Sequence, residues 1–220
     1  MTNKELIRRV TELVTPICQE AGVSLWDVTF EKEGRQHVLT VISESMELAK
    51  NIDGIDLNMV YAIAAYHDTG LCRDRKTHHI VSGEIIQADT TLRRWFSEKD
   101  IVAMKEAVED HRASADHEPR SIYGRIVAEA DRIIDTNTVL RRTVQFGLKH
   151  YPELGKEQQY ERFVEHLNEK YAPGGYMKLW FPESKNALQL RKLQSVICNE
   201  KQLRSLFENI YKEESSTQTP

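Results

Sequence analysis

Cysteine, glycine and proline are all scarce in this chain. Three cysteines occur in 220 residues, widely spaced and without a Cys-x-x-Cys pair. This argues against a zinc ribbon, a redox dithiol and a disulfide scaffold, and it favours a reducing cytoplasm as the compartment. With 10 glycines and 6 prolines, the composition also excludes collagen and low-complexity disorder.

Long apolar runs and an excess of basic charge are also lacking. Nowhere do about 18 apolar residues follow one another, so no segment is expected to span a membrane. The opening segment MTNKELIRRVTELV is charged throughout and lacks the apolar stretch of a signal peptide. The formal net charge is −4, from 30 basic and 34 acidic residues, which disfavours general nucleic-acid binding. The expected partners are small molecules, and a homodimer is left open.

Most of the chain has the hydrophobic spacing of α-helices. The stretches with this spacing are 4–20, 58–66, 101–108, 122–133, 136–149, 156–171 and 187–211. Residues 172–182 form the clearest non-helical connection, and the polar tail 213–220 is expected to be disordered. The prediction is an all-α fold in a single domain over residues 1–212.

One segment fits two structures. Residues 25–30 and 37–42 are rich in β-branched and aromatic residues around a glycine, which is typical of a β-hairpin. The same stretch from Gln36 onward also has helical spacing. Residues 10–35 are similar to the opening of bacterial ribosome maturation factors, a helix followed by a hairpin, but nothing after residue 42 supports that family.

Histidines and aspartates suited to metal binding stand out at three places. His67-Asp68 follows an apolar helix at its expected end and offers nitrogen and oxygen ligands at one point. His37 lies 30 positions before His67, and Asp131 lies 63 positions after Asp68 in an otherwise apolar stripe. A carboxylate there is costly unless it is paired or bound to metal. Each has an ordinary alternative: a solvated helix end, a hairpin residue, or a salt bridge to a neighbouring arginine.

This order of ligands, His, then His-Asp, then Asp on separate helices, resembles the HD superfamily of metal-dependent phosphohydrolases. The resemblance lies in HVLTVISESMELA, AIAAYHDTG and AEADRIID, and it covers about residues 35–135. It implies a compact all-helical bundle around a metal site. The amino-terminal helix and residues 136–212 are then extensions of that bundle.

Superfamily members with a second metal carry two more histidines between the His-Asp pair and the last Asp. The candidates are His79 and His111, with His78 and His117 as their alternatives. Relatives often have a glycine four residues after the first of these histidines, and Gly83 fits His79 rather than His78. The metal ligands that the resemblance implies are His37, His67, Asp68, His79, His111 and Asp131.

The resemblance also implies a cofactor and a chemistry. One or two divalent ions per chain are expected, of Mn, Fe, Co, Ni or Mg, because the ligands are nitrogen and oxygen without thiolate. Asp68 would bridge the ions, and the metal-bound water would attack phosphorus. Cationic side chains must bind the phosphate, and Arg73, Lys76 and Arg112 are the predicted substrate contacts. Lys76 and Arg112 are also predicted to assist Asp68 in catalysis.

Two departures from the superfamily narrow the substrate. Thr69-Gly70 stands where alarmone hydrolases carry Glu-Asp, and Leu71 stands where cyclic-di-GMP phosphodiesterases carry lysine. The ligand count is closer to that of small bacterial hydrolases of dinucleoside polyphosphates. The expected function is hydrolysis of a phosphate ester or anhydride of a small molecule, with nucleotides favoured. The alternative is a non-catalytic nucleotide-binding or regulatory module.

Overall fold

The structure is a computed structural model that describes residues 32–217. Within this range all regular secondary structure is helical, which confirms the predicted all-α class. The helix predicted over residues 4–20 and the strand predicted over residues 25–30 lie outside the described residues.

The described residues divide into two compact units, 32–132 and 133–217. The boundary falls near the end of the segment that resembles the HD superfamily, so the predicted extension forms a unit of its own. The described helices of the first unit are α1 (Lys32–Ala49), α2 (Leu57–Tyr66), α3 (His78–Ala88), α4 (Glu98–Glu109) and α5 (Ile122–Asp131), with 3₁₀ helices at Thr69–Cys72 and Thr90–Arg94.

Helix α1 decides between the two structures that the sequence allowed. It begins at Lys32 and runs without interruption through the predicted hairpin segment 37–42. Val38, Val41 and Ile42, at helical spacing, are all buried in the core of the first unit. Burial of this stripe outweighs the strand preference of its β-branched residues, since local propensity is a weak determinant next to tertiary packing. Of the two alternatives for residues 37–42, the helix is therefore confirmed and the hairpin is wrong.

Helix α2 is the central helix of the first unit. Every residue from Met59 to Tyr66 is buried, and α2 packs against α1, α3, α4 and α5. Its start is fixed by Asp56, whose carboxylate accepts the backbone N–H groups of Asn58 and Met59. Because the chain leaves this apolar helix at His67, the His-Asp pair is placed at the centre of the bundle rather than on its surface.

The ends of α4 and α5 are defined by local signals. Ser97 and Asp100 form a capping box at the start of α4, and the Ser121 hydroxyl accepts the Gly124 N–H at the start of α5. Helix α4 ends just before Asp110-His111, and α5 ends at Asp131. The predicted metal ligands thus lie at or next to helix ends, except His37, which lies within α1.

The second unit is a helical unit with its own core. Its helices are α6 (Thr136–His150), α7 (Lys156–Tyr171), α8 (Lys185–Ile197) and α9 (Glu200–Thr217). Phe163, Leu167, Leu193 and Phe207 are fully buried among them. None of the helices over residues 32–217 combines the length and the apolar character needed to cross a membrane.

The polar tail is ordered further than the sequence predicts. Disorder is expected from residue 213, yet α9 continues to Thr217. Arg141 of α6 pairs with Glu213 at 2.7 Å and also with Glu214, which in addition accepts the Gln145 amide at 2.9 Å. These ion pairs hold the last turns of α9 on α6, a long-range effect that composition does not reveal. Residues 218–220 lie outside the described range.

Candidate metal centre

Six histidine and aspartate side chains meet where α2 ends. They form two groups, and in each group one ligand atom from every residue lies within 4.8 Å of the others. The first group is His37, His67 and Asp131, and the second is Asp68, His78 and His111.

The first group is built by α1, the end of α2 and the end of α5. His37 Nε2 lies 3.1 Å from Asp131 Oδ1, and His67 Nε2 lies 3.7 Å from the same oxygen. The two imidazole nitrogens are 3.3 Å apart. His67 is fully buried, so this group is closed on the side of the core. The sequence left open a salt bridge between Asp131 and a neighbouring arginine. In the structure, two histidines face the Asp131 carboxylate.

The second group consists of Asp68, of His78 at the first position of α3, and of His111, which directly follows Asp110. His78 Nε2 lies 3.0 Å from His111 Nε2. Asp68 Oδ1 lies 3.4 Å from His78 Nε2 and 3.6 Å from His111 Nε2.

Asp68 faces both groups at once. Its Oδ2 atom lies 3.5 Å from the Nε2 atoms of His37 and His67, whereas Oδ1 faces His78 and His111. One carboxylate therefore directs one oxygen at each pair of histidines. This arrangement would allow one carboxylate to contact a cation at each group.

Hydrogen bonds on the far side of three imidazoles fix their tautomers. The Nδ1 atoms of His67, His78 and His111 lie 2.7, 2.8 and 2.6 Å from the carbonyl oxygens of Ala64, Arg75 and Val108. A carbonyl oxygen only accepts, so Nδ1 carries the hydrogen and Nε2 of the neutral ring is bare. Bare Nε2 atoms of His78 and His111 at 3.0 Å repel unless a cation lies between them. The donor set therefore fits a divalent metal, with its histidines oriented by carbonyl partners.

The charges of the cluster are strongly coupled. Burial alone would lower the pKa of His37, but hydrogen bonds to Asp131 and Asp68 outweigh it and raise that pKa to about 10. Burial would also lower the pKa of His67, but the negative charge of Asp68 outweighs burial and raises that pKa. Burial would raise the pKa values of Asp68 and Asp131, yet the surrounding imidazoles lower both. Both carboxylates are thus ionised at neutral pH, and in the metal-free first group the proton on His37 occupies the place of a cation.

His78, and not the predicted His79, reaches Asp68. The two residues open α3, and successive residues of a helix are about 100° apart around its axis, so only one can face the cluster. The His79 ring instead lines an open cleft of about 590 Å³ together with Arg112. Burial, with a contribution from the charge of Arg112, lowers the pKa of His79 to about 4.

The glycine that favoured His79 has a different structural role. A Cβ atom at Gly83 would lie 2.8 Å from Cγ of Glu109, so the missing side chain lets α3 pack closely on α4. Gly83 therefore marks a helix contact rather than the position of the ligand. His117, the alternative to His111, is exposed and has its Nδ1 atom 3.9 Å from Asp110 Oδ1.

The three predicted phosphate-binding residues differ in their contacts and exposure. Arg112 Nη1 donates a hydrogen bond of 2.7 Å to the Lys76 carbonyl, which fastens the segment before α3 to the segment after α4. Lys76 itself is exposed. Arg73 is exposed and lies 3.7 Å from the Glu84 carboxylate. The structure thus joins the Arg112 side chain to the backbone of Lys76, and it places Arg73 beside Glu84.

Two residues that support His111 are not evident in the sequence. Asp110 is buried, and its carboxylate accepts the backbone N–H of Arg120 at 2.6 Å and the Nε–H of Arg120 at 3.0 Å. Arg132 is also buried and donates to the His111 carbonyl at 3.4 Å. Nothing in the local pattern distinguishes these two residues from the exposed charges around them.

A comparison with known families agrees with this geometry. Residues 34–134 match the family model of the HD domain. No curated protein and no solved structure matches the chain at a significant level. The matched segment contains all of the side chains of the two ligand groups. Residues 34–134 therefore form an HD domain.

Proposed function

We propose that the chain is a metal-dependent phosphohydrolase that cleaves a phosphate ester or anhydride of a small molecule, with nucleotides as favoured substrates. The observation that carries the proposal is the position of Asp68, which directs one oxygen at each of two histidine pairs. Nitrogen and oxygen ligands without thiolate suit Mn, Fe, Co, Ni or Mg. One or two such ions per chain would be the cofactor.

The ligand groups assign a task to each side chain. His37, His67 and Asp131 would hold one ion, His78 and His111 would hold the other, and Asp68 would contact both. When bound, the two ions supply Lewis acidity and a water of lowered pKa that can attack phosphorus. Asp68 and Asp131 remain ionised because the neighbouring imidazoles lower their pKa values. The carbonyl partners of His67, His78 and His111 keep Nε2 free and hold each ring in orientation.

Substrate binding is assigned to the margin of the second group. Arg112 uses Nη1 to hold the Lys76 carbonyl, and a guanidinium has further N–H donors in the same plane that suit phosphate oxygens. The cleft of about 590 Å³ that Arg112 and His79 line has the volume of a small-molecule pocket. We therefore assign the partner as a small phosphorylated molecule rather than a nucleic acid or a membrane. A homodimer is compatible with this assignment.

The test is phosphate release by the full chain loaded with Mn²⁺ or Fe²⁺. Nucleoside mono- and triphosphates, dinucleoside polyphosphates, phosphodiesters and sugar phosphates form the substrate panel. We expect turnover of at least one nucleotide class, abolished by a chelator and restored by adding metal back.

A second outcome would favour the non-catalytic alternative. Arg73 is paired with Glu84, so one of the three cations that the sequence predicts for phosphate binding already has an acidic partner. Two bound ions and nucleotide binding without turnover would identify a nucleotide-binding or regulatory module. Failure to bind any divalent metal would contradict both functions.

Metal uptake is expected to depend on pH, and more strongly at the first group. The pKa of His37 is raised to about 10, so an ion must displace its proton at neutral pH. The affinity of the first group should therefore rise about tenfold per pH unit between roughly pH 6 and 9. Burial lowers the pKa of His78, so the second group should respond less. Calorimetric titration with Mn²⁺ at several pH values checks this, and equal pH slopes for the two ions would contradict it.

The raised pKa of His37 also predicts how the stability of the metal-free protein depends on pH. Since the His37 pKa is raised from 6.5 to about 10, the protonated ring stabilises the fold fully below about pH 6.5. This contribution is lost as the pH rises towards about 10. Thermal melts of chelator-treated protein should therefore show falling stability across this range, and metal-loaded protein should not. A flat profile for the metal-free form would count against the protonated cluster.

A further inference from the structure

The segment after Asp68 packs directly on the first turns of α3. A Cβ atom at Gly70 would lie 2.1 Å from the His78 carbonyl oxygen and 2.7 Å from the Ser82 backbone nitrogen. Only glycine allows this approach of two backbones. The 3₁₀ helix Thr69–Cys72, which follows Asp68 immediately, therefore touches the part of α3 that carries His78.

One hydrogen bond joins the two segments at this contact. The Gly70 N–H donates to the Ser82 hydroxyl at 2.7 Å, and both residues are buried. Ser82 lies one helical turn after His78, and Gly70 lies two residues after Asp68. A buried backbone N–H must have a hydrogen-bond partner, and the Ser82 hydroxyl is the partner of the Gly70 N–H. At this contact, any shift of α3 would change the distance between His78 and Asp68.

We propose that Ser82 is a positioning residue for the second ligand group. Its hydroxyl sets the 3.4 Å separation of Asp68 Oδ1 and His78 Nε2, and it thereby determines the affinity for the second ion. This inference rests on the proposed metal-dependent function. A ligand constellation has to be held to about half an ångström by the residues behind it.

The Ser82 hydroxyl acts on α3, which carries a ligand of the second group only. His37, His67 and Asp131 come from α1, the end of α2 and the end of α5, and none of these elements takes part in the contact between Gly70 and Ser82. The Ser82 hydroxyl accepts the Gly70 backbone N–H, so its influence on His78 passes through the backbone of α3. Loss of the hydroxyl should therefore weaken the second ion selectively.

The chain offers a matched control for this test. Ser45 is also fully buried, but in the part of the chain that the structure describes its hydroxyl has no hydrogen-bond partner. Ser45→Ala therefore removes the same atom from a buried helix without removing a hydrogen bond. Ser82→Thr keeps the hydroxyl and serves as the conservative variant.

The experiment is a calorimetric titration of the full chain with Mn²⁺. In Ser82→Ala we expect the second ion to bind about tenfold more weakly, with the first ion unchanged. Ser45→Ala should bind both ions like the wild type, and Ser82→Thr should recover the second ion. An unchanged second affinity in Ser82→Ala, or equal weakening of both ions, would overturn the proposal.

Hydrogen exchange in the wild type gives a second measurement that does not need the variant to fold. If the contact positions the second group, filling that group must in turn stabilise the contact, because coupling between sites is reciprocal. Exchange of the Gly70 amide, followed with Mg²⁺ by nuclear magnetic resonance, should then slow as the second ion binds. Exchange that responds only to the first ion, or to neither, would overturn the positioning role. A wild type that takes up no ion would instead show that the proposed metal centre is wrong. A wild type that takes up only the first ion would overturn the role of Ser82 and leave the first ligand group in place.

Discussion

Replacing Asp68 with asparagine is expected to remove both bound ions and to reduce phosphate release at least about a thousandfold. The two oxygens of Asp68 lie within 3.4 to 3.6 Å of four imidazole Nε2 atoms. Asparagine keeps the shape, but it removes the negative charge and turns an N–H₂ group towards one of the histidine pairs. A thousandfold loss corresponds to about 4 kcal/mol of transition-state stabilisation, which is of the size that metal catalysis supplies.

Metal content per chain by elemental analysis is measured beside phosphate release for this variant. Asp53→Asn makes the same change of charge at an exposed turn of the same unit, and it should keep both the ions and the activity. A thermal melt shows whether each variant is folded. A folded Asp68→Asn protein that retains two ions would show that Asp68 does not bridge them, even if its activity were low.

The sequence identifies the ligands whose burial would be unfavourable without a partner, because their burial can be inferred from the neighbouring residues. Asp131 lies in an apolar stripe, where an unpaired carboxylate is unfavourable, and His67-Asp68 follows a segment too apolar to be anything but core. Both features can be detected in one sequence because burial follows from the periodicity of the neighbouring residues. His37 is different, because its own segment also fits a hairpin, and only its spacing from the other ligands supports a helix.

What the sequence does not determine is how each helix is rotated and which partner each charge selects. The rotation of α3 is fixed by two close contacts between different elements, Gly70 against the His78 carbonyl and Gly83 against Glu109. The pairing of Arg73 with Glu84 and the burial of Asp110 against Arg120 are tertiary outcomes as well. Local propensity contains no information about them, so a prediction from the residue pattern alone assigns such charges to the wrong partners.

The rotation of α3 has a direct experimental consequence in a pair of neighbouring variants. His78→Gln is expected to lose the second ion and to lower phosphate release about a hundredfold, whereas His79→Gln should keep both ions. The reason is geometric, since His78 Nε2 lies 3.0 Å from His111 Nε2 and 3.4 Å from Asp68 Oδ1. Loss of a residue that orients a metal ligand typically lowers metal affinity or activity roughly 10- to 100-fold. Removal of a ligand itself should cost at least the upper end of that range.

His79→Gln serves as the matched control, because it makes the same substitution one residue away on the same helix. The His79 ring lines the cleft beside Arg112, so a substrate that enters this cleft should show a raised KM in this variant with little change in kcat. Elemental analysis and steady-state kinetics distinguish the two patterns. The reverse result, with the ion lost from His79→Gln and kept in His78→Gln, would restore the ligand that the glycine spacing favours. It would also show that α3 is rotated by about one residue relative to the arrangement described here, since successive residues point about 100° apart.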